Sequence, residues 1–212
     1  MTVNCRLRHH YPYDKKDRFF EAFGVVPLQQ CLTKPEFPAK IFTLDHGLTL
    51  VHQDLPSIPV AVVDVWVRAG AIAEPVGWPG IAHFLEHMIF KGTKRILPGV
   101  FDQMIEHRGG TTNAATSHDY AHFYLTTAAN YLPDTLPYLA EILLQAEIPD
   151  AELPYEREVV LDEIRGSDDD PDWLGFQCLC EMLYPHHAYG RSVLGTNQDV
   201  QRFTAHQLRC FH

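Results

Sequence analysis

His83-Phe84-Leu85-Glu86-His87 restricts what this chain can fold into more than any other stretch. If the segment is helical, at about 100° per residue, His83 and His87 lie about 40° apart and Glu86 about 60° to the other side. All three then project from one face. Two imidazoles four positions apart, with a carboxylate between them, can hold a zinc ion and a base for water within one turn. The surroundings agree with a helix over 79–90. Ile81, Phe84, Leu85, Met88 and Ile89 recur at the spacing of a buried helical face. A histidine pair on a helix can equally be a surface pair, so the rest of the chain has to decide the chemistry.

At 212 residues the chain can build one sizeable core. Its formal net charge of −10 argues against a nucleic-acid backbone as partner, which calls for a basic excess. No run approaches the roughly 18 apolar residues of a membrane span. Val60 to Val67 comes nearest, and Asp64 interrupts it. The first residues lack the apolar stretch of a secretory signal. The five cysteines, Cys5, Cys31, Cys178, Cys180 and Cys210, are odd in number and contain no C-x-x-C. Free thiols in a reducing compartment are the expectation. That places the chain in the cytoplasm, with an organelle or the periplasm as the alternative.

Residues 1–38 carry Pro12, Pro27, Pro35 and Pro38 and read as an irregular extension. From residue 39 the pattern sharpens. Lys40 to Leu44 and Leu48 to His52, joined through Asp45-His46-Gly47, read as a hairpin. Val60 to Val67 is β-branched and short, hence a strand. Pro98 opens a helix that runs through Ile105 and stops at Gly109-Gly110. Thr111 to Ala129 reads as two strands or one long bent one. Leu132 to Ala146 is helical, with Leu132, Leu136, Leu139, Leu143 and Ala146 on its apolar face. A further helix runs from Asp150, a candidate cap, to Arg165. Ser167 to Pro171 is a break, 172–184 is helical again, and a short helix follows Phe203. Strands followed by packed helices imply an α+β fold: two layers, a mainly antiparallel sheet with helices packed on one face.

A hydrolytic zinc site takes three protein ligands and leaves a position for water. The helix after Asp150 offers Glu152, Glu156, Glu158 and Glu163, and two helical turns put Glu156 and Glu163 on one face. The alternative is a solvated acidic helix.

Three segments together resemble the pitrilysin-type, or inverzincin, zinc metallopeptidases, in the manner of the bacterial processing proteases. They are Pro79-Gly80-Ile81-Ala82-His83-Phe84-Leu85-Glu86-His87-Met88-Ile89-Phe90-Lys91-Gly92-Thr93, then Gly109-Gly110-Thr111-Thr112-Asn113-Ala114-Ala115-Thr116, then Glu156-Arg157-Glu158-Val159-Val160-Leu161-Asp162-Glu163-Ile164. The 75 residues between His87 and Glu163 also fit that family's spacing. The resemblance implies one Zn2+ per chain, held by His83, His87 and Glu163. It makes Glu86 the base acting on metal-activated water and Glu156 the carboxylate that orients a ligand histidine. It assigns Asn113 and Ala114 to an edge strand that pairs with an extended peptide substrate.

Other groupings carry less. Asn113 could serve only as a turn former after Gly109-Gly110. Ser117-His118-Asp119 holds the residue types of a serine-hydrolase triad, but neighbours along a strand face opposite ways. His9-His10 and His186-His187 fit loop histidines better than metal ligands.

The family implied by the resemblance pairs two related halves around the peptide, and this chain has the size of one. The expectation is therefore an N-terminal half-domain over 39–212, cut short before its closing strand. It would be an endopeptidase acting on extended or unfolded peptides. The alternative is a zinc-binding but non-catalytic half that needs a second half-domain, or another copy of itself, for activity.

Overall fold

The computed structural model describes residues 39–45 and 47–212. The extension read over 1–38, and His46 of the first turn, lie outside the described residues. The chain divides after Pro56 into two compact units.

In the first unit, β1 (Lys40–Thr43) and β2 (Thr49–His52) pair antiparallel, Lys40 opposite His52 and Thr43 opposite Thr49. Gly47, at φ +90°, makes the turn, a conformation that costs a residue with a Cβ.

The second unit holds a three-stranded antiparallel sheet of β3 (Val60–Val67), β4 (Thr111–Thr116) and β5 (Ala121–Ala128), in the order β3-β5-β4. β5 is central, and β4 forms one edge. Side chains alternate between the two faces. Ala121, Phe123, Leu125 and Thr127 are buried on one face. The other carries His122 and Tyr124, with their register partners Trp66 and Asp64 of β3 and Ala115 and Asn113 of β4.

Helices cover the buried face. α1 (Ile81–Ile89) buries Phe84 and Met88 completely, among Val160, Val200 and Leu208. A second cluster forms beneath α2 (Val100–Glu106) and α3 (Leu132–Gln145), where Phe101, Ile105, Leu139 and Ile142 close over Leu125. α4 (Leu153–Asp168), α5 (Pro171–Leu183), α6 (Asn197–Arg202) and α7 (Ala205–Phe211) complete the unit. Each such fully buried apolar side chain contributes about 1.5–3 kcal/mol. The two-layer α+β architecture is the one expected from the sequence.

Several boundaries differ, each for a local reason. α4 begins at Leu153 rather than Asp150, because Glu152 N donates to Pro149 O in a preceding turn. Asp150 does not cap the helix; its carboxylate pairs with Arg209 at 3.1 Å. α4 also continues through Ser167 to Asp168. The break comes at Asp170, whose side chain accepts from Asp172 N at 2.9 Å and caps α5. On α3 the expected apolar position Leu136 is exposed, and Thr135, Leu139 and Ile142 form the buried stripe. α6, which the sequence reading did not anticipate, is capped by Thr196. Ser117-His118-Asp119 form the tight turn between β4 and β5 rather than a strand, and their side chains go to separate partners: Tyr120 O, Arg191 O and the Tyr189 hydroxyl.

Candidate metal centre

α1 presents its apolar stripe to the core and turns His83, Glu86 and His87 toward α4 and β4. α4 crosses it with Glu156 and Glu163, two turns apart, as the spacing required. One ligand atom from each of His83, His87 and Glu163 lies within 4.8 Å of the others. Among the described residues this is the one such group. His83 Nε2 and His87 Nε2 are each 3.4 Å from Glu163 Oε2. The rings are edge to face, with centroids 4.9 Å apart.

The surrounding contacts set the protonation of each group. Burial, helped by the neighbouring His87, pushes His83 down to about 4, which leaves its imidazole neutral. Its Nδ1 is buried without a hydrogen-bond partner, so Nε2 is the nitrogen turned to the cluster. Burial acts downward on His87 too. Contacts with Glu156 and Glu163 outweigh it and raise His87 to about 9. His87 Nδ1 lies 3.2 Å from Glu156 Oε2, and Lys91 forms an ion pair with the other oxygen of Glu156. Burial works to raise Glu156, but His87 and Lys91 hold it below the usual carboxylate value. The bond to His87 does the same for Glu163.

Glu86 makes none of these ion pairs. Its pKa is raised, chiefly by burial, against the hydrogen bond that the Thr116 hydroxyl donates to Oε2. Thr116 ends β4, so the carboxylate on α1 is tied to the edge strand. On that strand Ala114 N–H is turned away from β5 and donates to Asn113 Oδ1 at 2.8 Å.

The donor set fits zinc. Two imidazole nitrogens and a carboxylate oxygen form a known hydrolytic ligand set. Ligands about 2.1 Å from a tetrahedral ion stand about 3.4 Å apart, the separation of both histidines from Glu163. A dication would take the place of the proton that the two carboxylates now stabilise on His87.

The structure brings together all the residues singled out on α1 and α4, and sets Asn113 and Ala114 on the adjoining edge. It leaves His186-His187 outside; His187 Nδ1 accepts from Tyr189 N in a local turn. Sequence reading missed three participants. Lys91 lies one turn beyond His87, a spacing that was available as a signal. Thr116 shares a strand face with Ala114, the side that meets α1. Glu74, described below, sits in a loop with no periodic signal.

A sequence model of the insulinase family, peptidase family M16, matches residues 49–197. The chain belongs to that family. Among M16-related sequences, it is 35% identical over 170 residues to an uncharacterized zinc protease of Mycobacterium tuberculosis, covering 80% of this chain and 39% of that protein. It is 33% identical over 194 residues to the mitochondrial-processing peptidase subunit beta of Dictyostelium discoideum, covering 91% and 41%. A protease from Helicobacter pylori of known crystal structure superposes with a TM-score of 0.76 at 32% identity, covering 82% of this chain and 42% of that one. The chain spans about two fifths of the length of these relatives. These relatives are named as a zinc protease, a processing peptidase subunit and a protease. Among the described residues no helix is long and apolar enough to cross a membrane.

Proposed function

We propose that this chain is the metal-bearing half-domain of an endopeptidase that hydrolyses extended or unfolded peptides. The observation that carries this reading is the convergence of His83, His87 and Glu163 beside Glu86. These three residues would hold one Zn2+ per chain. Zinc, when bound, brings the pKa of water from 15.7 toward about 7 and polarises a carbonyl oxygen.

The protein's own groups supply the rest. Glu86 is a stronger base than an ordinary carboxylate because it is buried. Thr116 occupies Oε2, so Oε1 takes the proton from the attacking water and returns it to the leaving amine. Glu156, locked by Lys91, orients His87 through Nδ1, as outer carboxylates do in zinc sites. The free edge of β4 receives the peptide as an added strand at Ala114. Asn113 Oδ1 accepts from that N–H, and a pairing peptide would have to displace it.

Residues 39–212 act as one functional half, with 1–38 as an extension. A cytoplasmic location is the proposed one; among the described residues Cys178, Cys180 and Cys210 are free thiols, as a reducing compartment keeps them. The test is Glu86→Gln, with zinc measured by mass spectrometry and cleavage followed on a quenched extended peptide. Retained zinc with cleavage lost is the expected result. Equal cleavage by both proteins would overturn the assignment.

A second reading rests on the length comparison. A chain of two fifths the length of its relatives would bind zinc and turn over peptide only when joined by a second half-domain or another copy. Cleavage that appears only on adding a candidate second half, or only where the chain self-associates, supports it; cleavage by the purified chain under conditions where it is monomeric excludes it.

A further inference from the structure

The helix bearing the candidate ligands starts without a cap of its own. Gly80, its N-cap, has no side chain and sits at φ +88°. The first N–H groups of a helix have no partner within it, so an uncapped first turn frays. His83 belongs to that turn; His87 does not.

The missing cap comes from six residues upstream. Glu74 Oε1 accepts from Gly80 N at 2.9 Å and from Ala82 N at 3.2 Å. The Glu74 side chain is 1% exposed, and its Oε2 has no hydrogen-bond partner. Arg191 Nη2 stands 3.8 Å from that oxygen and donates to Ala71 O at 3.0 Å. The guanidinium thus pins the short segment that carries Glu74. Four residues beyond Arg191, the same loop meets α1 backbone to backbone. A Cβ on Gly195 would lie 2.5 Å from Pro79 O, and one on Gly80 would lie 2.7 Å from Gly195 Cα.

We propose that Glu74 and Arg191 are positioning residues for the metal centre, fixing the first turn of α1 so that His83 faces Glu163. This rests on the zinc reading above. It adds a directional claim: loosening the cap displaces one ligand, His83, while His87 stays held by Glu156. A residue of merely structural value would lower stability and leave metal affinity alone.

The full chain is the material. Zn2+ dissociation constants come from chelator competition, and the visible spectrum of the Co2+-loaded protein reports ligand geometry. Unfolding of the metal-free protein is recorded beside them. Glu74→Ala is expected to weaken Zn2+ binding by about 10–100-fold, the range for residues that orient metal ligands, and to alter the Co2+ bands. Glu74→Gln keeps an acceptor oxygen and is expected to restore most of the affinity. Arg191→Ala, at a half-exposed position, weakens binding in the same direction, and it carries the test if Glu74→Ala does not fold. Wild-type affinity and Co2+ spectrum in the folded alanine variants overturn the proposal, as does a Gln variant as weak as the Ala variant. A wild-type chain that binds no Zn2+ overturns the zinc reading itself, and the proposal with it.

Discussion

Gly80→Ala and Gly99→Ala separate two costs that glycine usually hides together. Both residues precede helices with positive φ, +88° and +76°. A left-handed backbone with a Cβ costs about 1–2 kcal/mol, and that cost applies to both. The surroundings differ. Around Gly99 nothing lies within 4 Å of an added Cβ. At Gly80 the added atom meets Leu194 O at 2.6 Å and Gly195 Cα at 2.7 Å, both backbone atoms that cannot rotate away. Forcing backbone apart in a packed interior costs a further 1–3 kcal/mol, roughly. Gly80→Ala should therefore destabilise by about 2–5 kcal/mol and Gly99→Ala by about 1–2 kcal/mol. The entropy that alanine removes from the unfolded chain is the same at both sites and cancels in the comparison. Urea unfolding of the metal-free proteins, followed by circular dichroism with m-values compared, measures the difference. Equal losses in the two variants, or a larger loss at Gly99, would refute the claim that the loop around Gly195 clasps α1.

Glu163→Ala removes the carboxylate of the donor group; after dialysis the protein should retain far less zinc than wild type by mass spectrometry, and full retention would exclude Glu163 as a ligand. Thr116→Val deletes the hydroxyl that holds Glu86 down, so the Glu86 pKa rises further. The acidic limb of kcat/KM should move to higher pH, and an unmoved limb refutes the contact. Burial pushes the Glu74 carboxyl up to about 7 in the folded protein, from an ordinary value of about 4.5. The folded state then holds its proton to higher pH than the unfolded chain, so stability from this group is full below 4.5 and falls as pH rises through 7. The loss should reach roughly 3 kcal/mol relative to Glu74→Gln. Parallel pH–stability curves for the two proteins would rule it out.

The features readable from sequence were those with a period. β3 matched its expected limits because valine recurs from one end to the other. The α1 and α4 faces each followed from helical spacing, and the resemblance to a known family joined His83, Glu86 and His87 to Glu156 and Glu163 before any coordinates. What failed depended on competing local bonds. Asp150 looks like a cap, yet Arg209, 59 residues away, takes its carboxylate. Glu74 sits in a loop, and only tertiary packing brings it to α1. Thr116 was visible as a strand residue, but its partner lies 30 positions back. Leu136 has the right spacing and remains exposed, because α3 turns Thr135 inward and lets its hydroxyl bond Tyr131 O.

Glu156 and Glu163 ride on one helix, and this matters during synthesis. The later of the two histidines, His87, leaves the ribosome 76 residues ahead of Glu163. At roughly 5–20 residues per second that is a wait of about 4–15 s. During it the chain displays an imidazole pair with neither its oxygen donor nor its orienting carboxylate. Such a pair ranks copper above zinc by intrinsic affinity. Because one helix carries both carboxylates, docking of α4 would deliver them together, Glu156 to the side of Lys91. On the proposed zinc site, choice of metal and completion of the core would fall in the same step, so a nascent chain stalled before residue 156 would be the form most exposed to the wrong ion.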